Sequence, residues 1–277
     1  MKTFLTVFFS LALICSLPIY AQKEALHWYF GPKLGFDFTN GSPKVLQNSA
    51  MTTSRGCAVI SNKSTGELLF YSNGRNTWNR FHQKMPSSNL FPDDCSNPIV
   101  QSVLIVPVPG SEYEYYLFTL EVITSEQVDP TLNCLYGDLS EAPTNSGTYY
   151  FNLSYSIIDM RLDGGKGDIR QSENNISLQQ NLSTKLTAIP HKNGKDYWLI
   201  THQASGDAFS VYLINESGIQ PPSQQQIGSS YQILSTSSGT YFEVLGELKA
   251  SPDGKNLPVQ FIIFVQDRLI SSILMPM

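Results

Sequence analysis

Residues 56–80, GCAVISNKSTGELLFYSNGRNTWNR, constrain the fold more than any other stretch of the chain. Two short apolar runs, 57–61 and 67–72, hold residues that suit a pleated, half-buried surface. Residues 62–66 between them form a five-residue loop ending in glycine, the usual composition of a longer hairpin loop. Asn73-Gly74 is the strongest short hairpin signal, because both central positions of a type I′ turn need φ > 0. A third run, 76–80, centres on Trp78. The stretch reads as a three-strand meander, and its pattern returns along the chain.

Before it, WYFG, LGFDF and SPKVL (residues 25–51) read as an entry strand or two, and after it residues 81–98 are a polar, proline-punctuated loop. A second unit runs through SVLIVPV, a turn at Pro109-Gly110 and EYEYYLF. A long insertion at 122–147 follows, and a strand resumes at 152–162. Asp163-Gly164-Gly165 then turns the chain into a short outer strand at 168–170. The third unit is KLTAIP, a turn at Lys192-Asn193-Gly194, DYWLITH and FSVYLIN, trailed by a Gln/Ser-rich stretch at 221–230. A fourth opens with FEVLGELKA and Ser251-Pro252-Asp253-Gly254.

The first-turn glycines Gly66, Gly110, Gly194 and Gly254 are 44, 84 and 60 residues apart, and the 84 becomes ordinary once the insertion is set aside. A unit of about 40–50 residues is the period of propeller blades. A small sheet cannot bury both faces alone, so each needs a neighbour on either side. The fold class expected is all-β, a β-propeller of antiparallel meander blades, incomplete at three blades plus a fragment.

The first 22 residues read as a signal peptide. Lys2 precedes an apolar run of 14 residues at 4–17, with a cut after Ala21 or Gln22. That run is too short for a span of about 20 residues. Ile14 before Cys15 argues against a lipoprotein signal, which wants a small residue there. Charged residues are 15% of the chain, against roughly 25% in an average soluble domain. The balance is acidic, 23 Asp and Glu against 18 Lys and Arg, one of the latter in the signal. Without a basic cluster there is no electrostatic footprint for nucleic acid. Export permits disulfides. Cys95 and Cys134 lie in loop-like sequence and are free to pair, whereas Cys57 sits in an apolar strand as a small core residue.

Residues 23–255 are the partial propeller, and 256–277 break the pattern as an aberrant apolar tail. Gln266, Asp267 and Arg268 interrupt the tail, which argues against a clean membrane span. An open ring with unpaired edges invites pairing with another chain. The expectation is the front end of a longer protein, shifted in frame near Asn256.

WYFG, GCAVIS, GELLFYSNG, TWNR, LIVPVPG, YYLF, YSIIDM, KLTAI, YWLITH and LKASPDG, in that order, carry a family resemblance across residues 26–255. The chain resembles the N-terminal WD-like propeller of large type-IX-secreted surface proteins of gliding bacteria, those with a type B C-terminal sorting domain. The resemblance implies an exported propeller without enzymatic activity and carries over no catalytic residue. The family's remaining blades and its sorting domain are missing.

Motifs for chemistry are sparse. G-x-S-x-G, H-E-x-x-H and phosphate-cradling glycine loops are absent. Residues 251–254, SPDG, superficially resemble a sialidase aspartate box, with the glycine one position early, and read better as a turn. His27, His82, His191 and His202 stand at no ligand spacing, although His191 and His202 each end a strand beside a loop. Asp163 and Asp168 in DGGKGD lack the regular alternation of a calcium loop and read as a solvated hairpin. Asp93-Asp94 are adjacent on an extended chain and so point opposite ways, unlike a glycosidase pair facing across a sugar. Tyr113, Tyr115 and Tyr116, and Tyr149, Tyr150 and Phe151, offer stacking faces but in a propeller are mostly core. Trp78 and Trp198 read as packing residues. Asn62, Asn152, Asn175, Asn181 and Asn215 begin N-x-S triplets, of little weight given the bacterial origin that the resemblance implies.

The sequence thus points to a secreted or cell-surface module without enzymatic activity, periplasmic if the sorting domain is absent. No catalytic, cofactor or metal residues are assigned. A protein or glycan ligand is expected at the blade-loop rim formed by 81–98, 122–147 and 221–230. The rivals are a carbohydrate hydrolase using rim carboxylates and a non-functional fragment of a disrupted gene.

Overall fold

A computed structural model describes residues 23–88, 99, 101–124, 149–231, 233–236, 239–242, 246–251, 256–261, 264–265, 268–269 and 272–276. The segment read as a signal (1–22), Asp93, Asp94, Cys95, Cys134, Gly254 and residues 125–147 of the insertion lie outside them.

The fold is all-β, built from antiparallel sheets, with helical turns among the described residues at Lys23–Ala25, Pro86–Ser88, Leu162–Gly165 and Gln171–Glu173. The entry segment makes a full three-stranded sheet of β1 (His27–Phe30), β2 (Leu34–Asp37) and β3 (Lys44–Leu46). Tyr29 points inward, and Gly35 lets its ring lie across β2: a Cβ there would stand 2.6 Å from Tyr29 Cδ1.

The meander folds as β4 (Ala58–Ser61), β5 (Leu68–Ser72) and β6 (Thr77–Asn79). Asn62 Oδ1 accepts the N–H groups of Ser64 and Thr65, which shapes the first loop, and Gly66 closes it at φ +81°. The second hairpin departs from the type I′ expectation. Of its residues only Gly74 has positive φ; Asn73 instead caps the loop, its Oδ1 accepting from Arg75 N at 3.0 Å and Asn76 N at 2.8 Å. The asparagine side chain supplies the acceptors, so a four-residue loop costs less than twisting Asn73 to positive φ.

The next two units do not stay apart as separate sheets. β7 (Val103–Pro107), β8 (Glu114–Thr124), β9 (Tyr149–Asp159), β10 (Asp168–Ile169), β11 (Ile176–Pro190), β12 (Tyr197–Gln203), β13 (Gly206–Asn215), β14 (Gly218–Ile219) and β15 (Ser223–Tyr231) form one nine-stranded sheet. The join is β11, expected only from Lys185. Its first half pairs with β9 and its second with β12, with register shifts between Ser177 and Leu182 and again before Leu186. Asn181, at φ +59°, lies within the irregular stretch and gives its carbonyl to Ala204 N. Bulges of this kind bend a strand so that it serves two neighbours. Both β8 and β9 also run on into residues assigned to the insertion boundary, pairing Thr124 with Tyr149. The Gln/Ser-rich stretch, expected as a loop, is strand β15 against β13.

β16 (Ile233–Thr236) and β17 (Gly239–Phe242) form a hairpin. β18 (Gly246–Leu248) pairs with β19 (Asn256–Phe261), which lies in the segment read as a tail, and β20 (Phe264–Val265) pairs with β21 (Arg268–Leu269). β22 (Ser272–Pro276) lies on the far side of β19. No sheet closes on itself among the described residues.

Packing follows chain order. β1 lies against β4, β4 against β7, β7 against β11 and β11 against β18, so the first strands of successive units are neighbours. One core cluster holds Tyr29, Met51, Leu68, Tyr71 and Trp78, and a second joins Ile60 and Phe70 to Val103, Tyr115 and Ile158. The largest gathers Phe118, Leu153, Leu186, Leu199 and Tyr212 inside the nine-stranded sheet.

Candidate functional site

At one end of the molecule polar groups tie the entries of β4 and β7 to the middle of β11 and to β18, whereas β1 runs the other way, its first residue His27 lying against Ser61 at the end of β4. Gly56 N donates to Ile99 O at 3.2 Å, which joins the entry of β4 to that of β7. A Cβ on Gly56 would sit 2.3 Å from Ser102 Oγ, so only glycine allows this approach. Gln101, just before β7, acts as a peptide surrogate between two other strands. Its Oε1 accepts from Leu248 N at 2.7 Å and Leu186 N at 3.3 Å, and its Nε2 donates to Leu248 O at 2.9 Å. Thr184 Oγ1 donates to Gly246 O and accepts from Gly246 N, both at 2.9 Å.

Charge collects at this end. Lys185 and His202 are fully buried, and burial holds the His202 imidazole down to about 4, with Lys185 adding to the same effect. Arg75 is buried in the β5–β6 loop; desolvation lowers its pKa, and Glu121 opposes that. The described chain leaves this end after Ser88 and Thr124 and re-enters at Ile99 and Tyr149. Two of the three contact loops expected from sequence therefore attach here.

The opposite end carries the hairpin turns. A cleft of about 550 Å³ there is lined by His27, Thr39, Thr65, Gly66, Glu67, Leu68 and Arg80. His27 stands beside Ser61 and Asp37, a trio that no sequence motif announces. Its Nδ1 is 3.0 Å from Ser61 Oγ, and its Nε2 is 4.0 Å from Asp37 Oδ1. Nucleophilic catalysis needs an accessible hydroxyl and an oriented base. Ser61 is 1% exposed. Asp37 lies beyond hydrogen-bond reach of the imidazole and is engaged by Thr39, whose hydroxyl and N–H hold its carboxyl below the usual range. The trio ties β1 to β4 and lacks the geometry of a hydrolytic triad.

Farther along this end, Arg161 bonds Asp159 and Glu114, and Arg170 bonds Glu114 and Glu173. Asp159 is lowered to about 2, chiefly by the Arg161 hydrogen bond. Asp163 pairs with Lys166 at 2.9 Å, while Asp168 accepts from Ser87 N and Oγ, so the two acids of DGGKGD face different partners.

The remaining candidates scatter. His82 bridges Tyr71 and Asn48, and His191 packs on Trp198. Among the described residues no three His, Cys, Asp or Glu side chains gather as a metal site. Tyr115, Tyr116 and Phe151 are core, Tyr113 is half exposed, and Trp78 stacks on Tyr71 at 5.5 Å. Cys57 is a free thiol, pushed up by burial and donating to Tyr29 O. No helix among the described residues is long and apolar enough to cross a membrane.

Gln101 escaped sequence reasoning because a lone glutamine between a loop and a strand carries no pattern; its role appears only when three strands meet around it. Comparison with known proteins adds no neighbour: no family model, curated protein or solved structure matches this chain.

Proposed function

We propose that this chain is an exported, non-catalytic binding module of the propeller type, presented at the cell surface and holding a protein or glycan ligand at the loop-bearing rim. One observation carries the reading: first strands that neighbour one another in chain order, with the entries of β4 and β7 joined at Gly56 and β7 tied by Gln101 to β11 and β18. Blades around an axis have this arrangement, and it directs loops from successive sheets toward a shared rim. The family resemblance and the signal-like start support export. The hydrolase alternative finds no support in the His27 trio, whose serine is buried and whose aspartate is too distant.

The test is binding of the secreted chain to a glycan array and to immobilised matrix proteins, alongside a polysaccharide panel for turnover. Saturable binding is expected, lost when residues 125–147 are replaced by a short Gly/Ser linker in a chain that keeps its circular dichroism. Turnover of any polysaccharide, or binding untouched by the loop replacement, would overturn the proposal.

A further inference from the structure

Strand β15 has an edge unlike the others. It pairs on one side with β13, in the register Ser223↔Val211, Gln224↔Ser210, Gln225↔Phe209 and Gln226↔Ala208, and with no other strand among the described residues. Its sequence, SQQQIGSSY, spans nine residues without a charge or a proline. Residues 223–227 are all exposed, Ile227 at 49%. The short edge strands elsewhere carry or adjoin charges: Lys44 in β3, Asp168 in β10 with Arg170 after it, and Glu216 just before β14. Charges and prolines are the usual means of blunting an edge; β15 has neither along its length, and its nearest prolines, Pro221 and Pro222, stop short of its first residue. Its first half is in regular register and anchored on β13, where Gln224 Nε2 donates to Ser210 Oγ at 2.9 Å and the same hydroxyl accepts from Gln179; the register shifts only beyond Gln226.

We propose that β15 is a pairing edge for a second copy of this chain. Two β15 strands add side by side, antiparallel, about a two-fold axis through Gln225, making one sheet continuous across both copies. That symmetry sets Gln225 against Gln225, Gln224 against Gln226 and Ser223 against Ile227. A primary amide donates and accepts at once, so a glutamine opposite its own copy is satisfied, whereas any charge there would meet its like. The chain carries a net charge of −5, which repels copies in general and confines contact to a locally neutral edge. An extended peptide of another protein could add to the same edge, but the self-complementary neutral sequence favours the copy. β15 overlaps the 221–230 stretch expected at the rim, but self-association and ligand binding are read by different experiments, so either proposal can fail without the other.

Sedimentation velocity of the full chain over a wide concentration range tests it. A concentration-dependent dimer is expected. Gln225→Lys weakens it by roughly fivefold or more, since like charges then face each other across the axis. Gln225→Glu does the same, and an equimolar mixture of the two variants recovers the dimer. Thermal melts matching wild type show that both variants fold. A wild-type chain that sediments as a monomer at every concentration would overturn the proposal without any variant. So would a Gln225→Lys dimer of undiminished affinity, or a mixture no stronger than its components.

Discussion

The sheets β1–β3 and β4–β6 are the same size and topology, adjacent in the chain and packed on each other, yet they are buried very differently. Every residue of β5 and β6 is buried, because Tyr71 faces the β1–β3 sheet, with its ring 4.8 Å from Tyr29, while Phe70 faces the next sheet, 5.5 Å from Tyr115. β1–β3 buries Tyr29 on one side and leaves Trp28, Leu34 and Val45 exposed on the other at 53%, 37% and 59%. On that outer face Trp28, Phe38, Phe36 and Phe30 pack on one another, in tilted or edge-on pairs 5.0 to 6.1 Å apart. What differs is neighbours: among the described residues the second sheet has one on each side, the first on one side only. Stability in a series of leaves resides in the contacts between them.

The sharpest way to break this comparison is a pair of tryptophans, and its buried member has the largest expected effect. Trp78→Ala removes a ring that is 3% exposed and should cost about 3–5 kcal/mol in urea denaturation. A loss under about 1 kcal/mol there would mean the two sheets are not differently packed after all.

Acid should next find the interior. Folding lowers His202 to about 4, below an unfolded value of about 6.5, so the native state holds the neutral imidazole. Stability is full above about pH 6.5 and is lost as pH falls from there toward 4, by about 3 kcal/mol in all. His82, at the seam of the two compared sheets, is also lowered by burial and adds in the same direction. His202→Gln should flatten most of that slope in melts recorded between these values; an unchanged slope would assign it elsewhere.

Gln101→Ala strips three hydrogen bonds that tie β11 and β18 together and leaves Leu186 N and Leu248 N without that acceptor. A cost of about 1–3 kcal/mol is expected, with faster hydrogen exchange at β18. Loss of protection in β1–β3 instead would mean that the amide does not tie the strands it touches. Trp28→Ala should be the smallest change, within about 1 kcal/mol, because half of its surface already meets water. A cost approaching that of Trp78 would show that something covers the outer face in solution.

Much of the local structure was legible from residue order. Gly66, Gly110 and Gly194 all close turns at positive φ, +81°, +82° and +70°, where their spacing placed them. The strands around Phe70, Leu117 and Leu199 lie where apolar runs suggested. Cys57 proved a free, half-buried thiol. The misreadings came where a side chain or a distant strand supplied the partner. Asn73 caps its loop instead of entering a type I′ turn, and polar Gln224 to Gln226 extend along β13 because an edge strand need not be apolar. The candidate site was less visible: neither Gln101 nor the His27, Ser61 and Asp37 trio has a local signature.

Sequence alone determined the all-β class, the meander of residues 58–79 and the turns that divide the units, because these depend on φ preferences and on side-chain alternation within a few residues. Tertiary structure alone decided that β11 bends to serve both β9 and β12, that Gln101 stands in for a peptide between β11 and β18, and that Lys185 and His202 end up buried. Each of those outcomes depends on groups tens of residues away along the chain. Their energies arise from desolvation and hydrogen bonding at contacts that exist only once the sheets have met.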